Sequence, residues 1–83
     1  MKHVTFYSTS FCPTCKFLKP KVQEAYPETE FVLLDDKQDL ADALGIMAVP
    51  TIIFWEDNTE LKRLSGGVTI QQFKDALVEV GLA

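Results

Sequence analysis

His3 to Tyr7 is a short β-branched and aromatic run, and Phe31 to Leu34 is a second, wholly apolar one. Between them Leu18, Val22 and Ala25 recur at i, i+4 and i+7, the spacing of one helical face. Two strands separated by a single helix form a parallel pair, because the helix supplies the crossover that parallel strands need. Residues 3 to 34 therefore read as one βαβ unit, and this unit commits the chain to an α/β fold. The continuous apolar character of 31–34 predicts a buried strand.

The rest of the chain extends the unit. Asp35 or Asp36 is placed to cap a short second helix carrying Leu40 and Leu44, with Gly45 ending it. Thr51 to Trp55, the most apolar run, predicts a central strand. Asp57-Asn58-Thr59 reads as a turn without the usual glycine, and Glu60 to Ser65 returns as a polar edge strand on which Lys62 and Arg63 discourage further pairing. Thr69 with Gln72 forms a T-x-x-Q capping box for a last helix, whose buried stripe is Ile70, Phe73, Leu77 and Val80 before Gly81. The order is β-α-β-α-β-β-α. With 83 residues the chain has room for a single domain, 1–83.

The loop Ser8-Thr9-Ser10 leads into the first helix, and there lie the chain's only two cysteines, Cys12 and Cys15. Pro13 suits the first helical position, which leaves Cys12 at the N-cap. A thiolate, not a thiol, attacks a disulfide, and unpaired N–H groups and the positive end of the helix dipole favour that anion. Cys12 is thus the candidate nucleophile. Cys15, about one turn on, is the candidate resolving thiol. Pro20 lies inside the helix and removes one of its hydrogen bonds. Other uses of the pair stay open on these residues alone. Free cysteines are common in cores. A closed zinc site needs about four ligands, whereas only His3 could join this pair, and an iron–sulfur cluster would need thiols from a second chain.

Composition narrows the partners. A net charge of −4 argues against a nucleic-acid or anionic-membrane surface, and no segment reaches the ~20 apolar residues of a membrane helix. The start of the chain makes a poor signal peptide, so a cytoplasmic location is expected, where C-x-x-C beside a βαβ pattern reads as redox chemistry. A monomer is the simplest expectation.

Taken together, "FCPTCKFLKP", "LGIMAVPTIIFW", "DNTELKRLSGG" and the final amphipathic helix resemble the thioredoxin superfamily in a compact form without an additional N-terminal strand and helix. The resemblance implies a four-stranded mixed sheet flanked by helices, a cis Pro50 facing the cysteines, and a redox-active Cys12–Cys15 disulfide with no bound cofactor. It implies a substrate groove of Phe11, Pro13, Thr14, Val49, Pro50, Gly66 and Gly67, with Gly66 letting another backbone approach. The implied partners are protein disulfides and a flavin-dependent thioredoxin reductase that relays electrons from NADPH. The chain departs from the pattern in its Pro-Thr dipeptide, closer to glutaredoxins, where glutathione is the electron source; yet Thr9 stands where glutaredoxins carry a lysine. A dedicated donor to a ribonucleotide reductase is a specialised variant, and an adaptor or cluster carrier is a rival class. Thr5 and Phe31 stand in the expected places of a buried acid and its lysine partner, which leaves the base for Cys15 unassigned. His3 is expected to be solvated at an edge, and Trp55 to pack far from Cys12.

Overall fold

The computed structural model describes all 83 residues. Its elements follow the expected order: β1 (Lys2–Ser8), α1 (Pro13–Ala25), β2 (Glu30–Leu33), α2 (Gln38–Leu44), β3 (Thr51–Glu56), β4 (Thr59–Ser65) and α3 (Ile70–Glu79). The four strands make one sheet in the order β2-β1-β3-β4. β2 runs parallel to β1, whereas β3 is antiparallel to both β1 and β4. β1 and β3 are therefore central, and the sheet is mixed because only the α1 crossover returns the chain in the same direction.

Side chains alternate across the sheet, so each central strand serves two cores. Val4 and Phe6 of β1 join Ile52 and Phe54 of β3 on the face covered by α1 and α3. They pack there with Cys15, Leu18, Val22, Phe73, Ala76 and Leu77. Tyr7 and Ile53 face the other way and pack with Leu34 and Ala41 under α2. Phe54 lies 5.7 Å from Phe73, ring to ring, linking β3 to the last helix.

α3 begins as expected. The Thr69 hydroxyl accepts from the Gln72 N–H at 3.2 Å, and the Gln72 side chain accepts from the Thr69 N–H at 2.9 Å. Ile70 and Val80 are only partly buried at the ends of the stripe, and Ala76 completes its buried centre. Asp57 takes the positive φ (54°) that the glycine-free turn requires, a conformation aspartate tolerates better than most residues. α1 continues across Pro20 without a break.

Three expectations need correction. The run 31–34 does not form a buried strand: β2 is a sheet edge, Phe31 and Val32 are half-buried, and Leu33 is 52% exposed. Its apolar residues serve both faces of the sheet, and Phe31 packs at 5.4 Å on Phe6. Neither Asp35 nor Asp36 caps α2; the helix starts later, at Gln38, behind Lys37, with no side-chain cap. His3 is exposed but not isolated, for it stacks on Trp55 at 6.0 Å in the central pair of strands.

Along β4 the charged side chains are tied down. Arg63 donates to both Glu60 carboxylate oxygens, at 2.9 and 2.7 Å, and Lys62 lies 3.0 Å from Glu79. The Arg63 guanidinium holds the Glu60 carboxyl below its ordinary range. A depressed folded-state value contributes stability that is present above the unfolded value and is lost as pH falls toward the folded one. Acid titration of the parent and of Glu60→Gln, followed by urea unfolding, should show the parent's small advantage vanish as the pH drops below about 4. In the same assay at neutral pH, Phe73→Ala should cost about 3–5 kcal/mol and Thr69→Ala about 1 kcal/mol.

Candidate active site

The site begins at the carboxyl end of β1, where the chain leaves the sheet through Thr9, Ser10 and Phe11. The Asp35 carboxylate accepts from the Ser10 N–H at 3.0 Å and so ties this loop to the segment after β2. Hydrogen bonds from the Ser10 hydroxyl and amide hold the Asp35 carboxyl below its ordinary range. The polar residue expected to cap a helix thus braces the cysteine loop instead.

Cys12 is the N-cap of α1, with extended backbone (φ −99°, ψ 106°) and Pro13 in the first turn. Its carbonyl accepts from Lys16 N–H at 3.2 Å, and its Sγ accepts from the Cys15 N–H, also at 3.2 Å. A sulfur in this position receives an otherwise orphaned helix donor and sits at the positive end of the dipole. Cys12 and Cys15 are joined as a disulfide. Cys12 is half-buried, whereas Cys15 is only 3% exposed and packs into the α1/α3 core. One sulfur is therefore reachable from solvent and the other is shielded, the asymmetry expected of a nucleophile and a resolving partner.

The remaining expected site residues arrive from the far side of the sequence. The Val49–Pro50 peptide is cis, and the Val49 carbonyl oxygen lies 4.0 Å from Cys12 Sγ. Gly66 donates its N–H to the Pro50 carbonyl at 3.0 Å, which fixes the end of β4 beside the same segment. Gly66 has φ +78°, and a Cβ there would meet no atom within 4 Å. Glycine at 66 is favoured by its backbone angle, and the space beside it is open. Gly67 is exposed beyond it, and Pro13 and Thr14 are exposed on the first turn of α1. Trp55 lies at the opposite end of β3, against His3, and takes no part.

Two of the expected groove residues, Phe11 (78% exposed) and Val49, line a groove of about 390 Å³ beside Cys12. The neighbours not singled out from the sequence are Met47 (98% exposed), Ala48, Ile46 and Leu34, with Asp35 and Gln38 at the polar end. The available signal was the apolar "IMAV" preceding Pro50, which supplies more exposed apolar surface than a buried strand entry needs.

The expected places of Thr5 and Phe31 also change. Thr5 is buried on the Tyr7 side of the sheet, away from the cysteines, since it shares the parity of His3 and Tyr7. The strand residue in the cluster with Cys15 is Phe6, and Phe31 packs on it. No group of three or more His, Cys, Asp or Glu side chains is assembled to hold a metal.

A four-stranded mixed sheet, a C-x-x-C pair opening the first helix and a cis-proline against the outer sulfur define a protein of the thioredoxin fold. The thioredoxin family model matches residues 2–79, and the chain belongs to the thioredoxin family. It is 32% identical over 68 residues to a thioredoxin of Ophiophagus hannah, a match covering 76% of this chain and 65% of that one. Against a thioredoxin of Mycoplasma genitalium it is 36% identical over 62 residues, covering 69% and 61%. The chain thus spans less than two thirds of the length of these curated relatives. The solved structure of Fasciola hepatica thioredoxin superposes with a TM-score of 0.80 at 26% identity, over 94% of this chain and 79% of that one.

If Asp35 braces the cysteine loop, Asp35→Ala should speed hydrogen exchange at the Ser10 amide by about tenfold or more, since losing a bond to a charged acceptor costs about 1.5–3 kcal/mol locally. Amides of β3 should serve as the unchanged internal reference.

Proposed function

We propose that this chain is a dithiol–disulfide oxidoreductase that reduces disulfides in other proteins. The observation that carries the reading is the placement of Cys12 Sγ, capping α1, accepting the Cys15 N–H and lying beside the Val49 carbonyl. In the reduced state the Cys12 thiolate attacks one sulfur of a substrate disulfide, forming a mixed disulfide and releasing the other substrate sulfur as a thiol. Cys15 then attacks Cys12 Sγ, which closes the Cys12–Cys15 bond and releases the second substrate thiol. Two electrons pass to the substrate, and the protein's own disulfide is the only redox group used.

The edge of the cis-proline segment supports a role in substrate alignment. Val49 presents backbone beside the reacting sulfur, and an extended substrate segment running past Phe11 and Gly66-Gly67 pairs with it as an added strand. Pro13 and Thr14, exposed between the cysteines, face the same approaching chain.

Re-reduction is assigned to a flavin-dependent thioredoxin reductase drawing on NADPH. Its support is family membership and the partial likeness (30% identical over 78 residues) to the NADPH-dependent thioredoxin reductase 3 of Arabidopsis thaliana. Both cysteines are committed to the redox pair and none is left for a structural staple, which suits a reducing compartment such as the cytosol.

An NADPH-coupled protein-disulfide reduction assay tests the reading. Thioredoxin reductase should sustain turnover, and Cys12→Ser should abolish it; turnover with glutathione and glutathione reductase alone would assign the protein to glutaredoxin chemistry instead. Cys15→Ser should accumulate a covalent substrate adduct on Cys12, visible by non-reducing electrophoresis and cleared by dithiothreitol. An inert Cys12 toward alkylation near neutral pH would overturn the nucleophile assignment.

A further inference from the structure

Cys15 must lose a proton before it can resolve a mixed disulfide, yet the cleft it borders is lined by no carboxylate. The hydrophobic cluster that packs around Cys15 is drawn from β1, β3, α1, α3 and Val68, with Cys12 and Tyr26 among the residues packed against it. Cys15 borders a cleft of about 150 Å³ between α1 and β2, lined also by Ser8, Thr9, Lys16, Lys19 and Leu33. At ~30 Å³ per water, several waters fit. The titratable groups on the cleft side are Lys16 and Lys19, and on the core side Cys12 and Tyr26; β1 contributes Ser8 and β2 contributes Leu33 to the cleft, both uncharged.

Two of these residues are placed for a purpose. Ser8 shares the strand parity of Val4 and Phe6, so its side chain points to the α1 side, and it is only 6% exposed. Ser8 lines the cleft, so its hydroxyl is available to solvent there rather than tied to another side chain. Lys19 follows Cys15 by four residues, on the same helical face. Its Nζ is held 5.1 Å from the centroid of the Phe31 ring, a cation–π contact that keeps the ammonium on the β2 side of the cleft.

We propose that this cleft is the proton exit for Cys15, with Ser8 and Lys19 as its positioning residues. This inference rests on the redox reading above. Solvent in the cleft, oriented by the Ser8 hydroxyl, takes the proton from the Cys15 thiol and passes it to bulk water. The Lys19 ammonium favours the thiolate left behind. That thiolate attacks Cys12 Sγ; the Cys12–Cys15 bond forms, the bond from Cys12 to the substrate sulfur breaks, and the substrate leaves as a thiolate that is protonated by solvent. A cation and a hydroxyl on solvent thus do the work that a buried carboxylate would do as a base.

The test uses an aromatic disulfide, 5,5′-dithiobis(2-nitrobenzoate), mixed with the reduced protein in a stopped-flow instrument. Attack by Cys12 releases one coloured aryl thiolate, and resolution by Cys15 releases a second. The pH profile of the second burst reports the ionisation of Cys15. Lys19→Gln should raise its apparent pKa and lower the ratio of second-burst to first-burst rates at neutral pH about three- to tenfold, equivalent to a shift of about 0.5–1 pH unit. Lys19→Arg should restore the ratio, and added salt should shrink the difference between the two variants. Ser8→Ala should lower the same ratio, and Ser8→Thr should restore it. Thermal unfolding of the oxidised forms reports folding, and exposed Lys19 keeps the test decisive should a Ser8 variant unfold. A second-burst pH profile unchanged in Lys19→Gln or in a folded Ser8→Ala overturns the proposal. Absence of any second burst in the parent would overturn the redox reading itself.

Discussion

The antiparallel pairing of β1 with β3 sets Tyr7 opposite Thr51, and this register brings Cys12 and Val49, 37 residues apart in the chain, to the same end of the sheet. β1 delivers the cysteine loop as it leaves that end, and β3 begins there just after the cis Val49–Pro50 peptide. β4, paired with β3 from Thr51 opposite Ser65, finishes at the same edge and supplies the Gly66 amide to Pro50. A slip of one residue between β1 and β3 would turn the core side chains of one of the two strands, Phe6 or Phe54 with it, out of the α1/α3 core. The packing that stabilises the fold therefore also fixes the site.

The two faces of the sheet contribute unequally. On one side α1 and α3 enclose a continuous cluster in which Val4, Phe6, Ile52, Phe54 and Phe73 have no solvent contact. On the other, α2 is short and covers only the end near Leu34, Ala41 and Ile53. The rest of that face is finished by amphipathic side chains, with the His3–Trp55 stack at one end and the Arg63–Glu60 pair on β4. The long arginine stem covers apolar surface while its guanidinium reaches Glu60, and the Trp55 indole packs with its N–H buried, so this face is closed without a further layer.

Within the site, burial separates two chemically identical thiols. Cys12 is held where helix donors and solvent meet, and the buried Cys15 borders the cleft beside Ser8 and Lys19. The exposed apolar groove bordered by Phe11 and Met47 lies on the opposite side of the cysteine loop from that cleft, since it is lined by α2 and the segment before Pro50. Asp35 belongs to the groove, where its charge is satisfied by Ser10.

Much of this was legible in the chain itself, because local rules decide it. The helical stripe, Pro13 after Cys12, the Thr69–Gln72 box and the turn residues each act within a few positions, and each forms as read. The thioredoxin-like order of elements and the pairing of Cys12 with Cys15 followed from them together with the Pro50 segment. What local pattern could not decide was which residues meet across the sheet. An apolar run such as 31–34 looks the same at an edge as in the centre, because strand order is set by how α1 and α2 cover the sheet. Asp35 reads as a helix cap until Ser10 of another segment is brought to it. Thr5 and Phe6 differ by one position, and only the pleat of β1 within the packed sheet determines that Phe6, not Thr5, lies in the cluster with Cys15. The sequence by itself determined the elements and the reactive pair, since both depend on neighbours in the chain. Tertiary structure alone decided the environment of that pair, because burial, cleft and charge come from residues that only packing brings together.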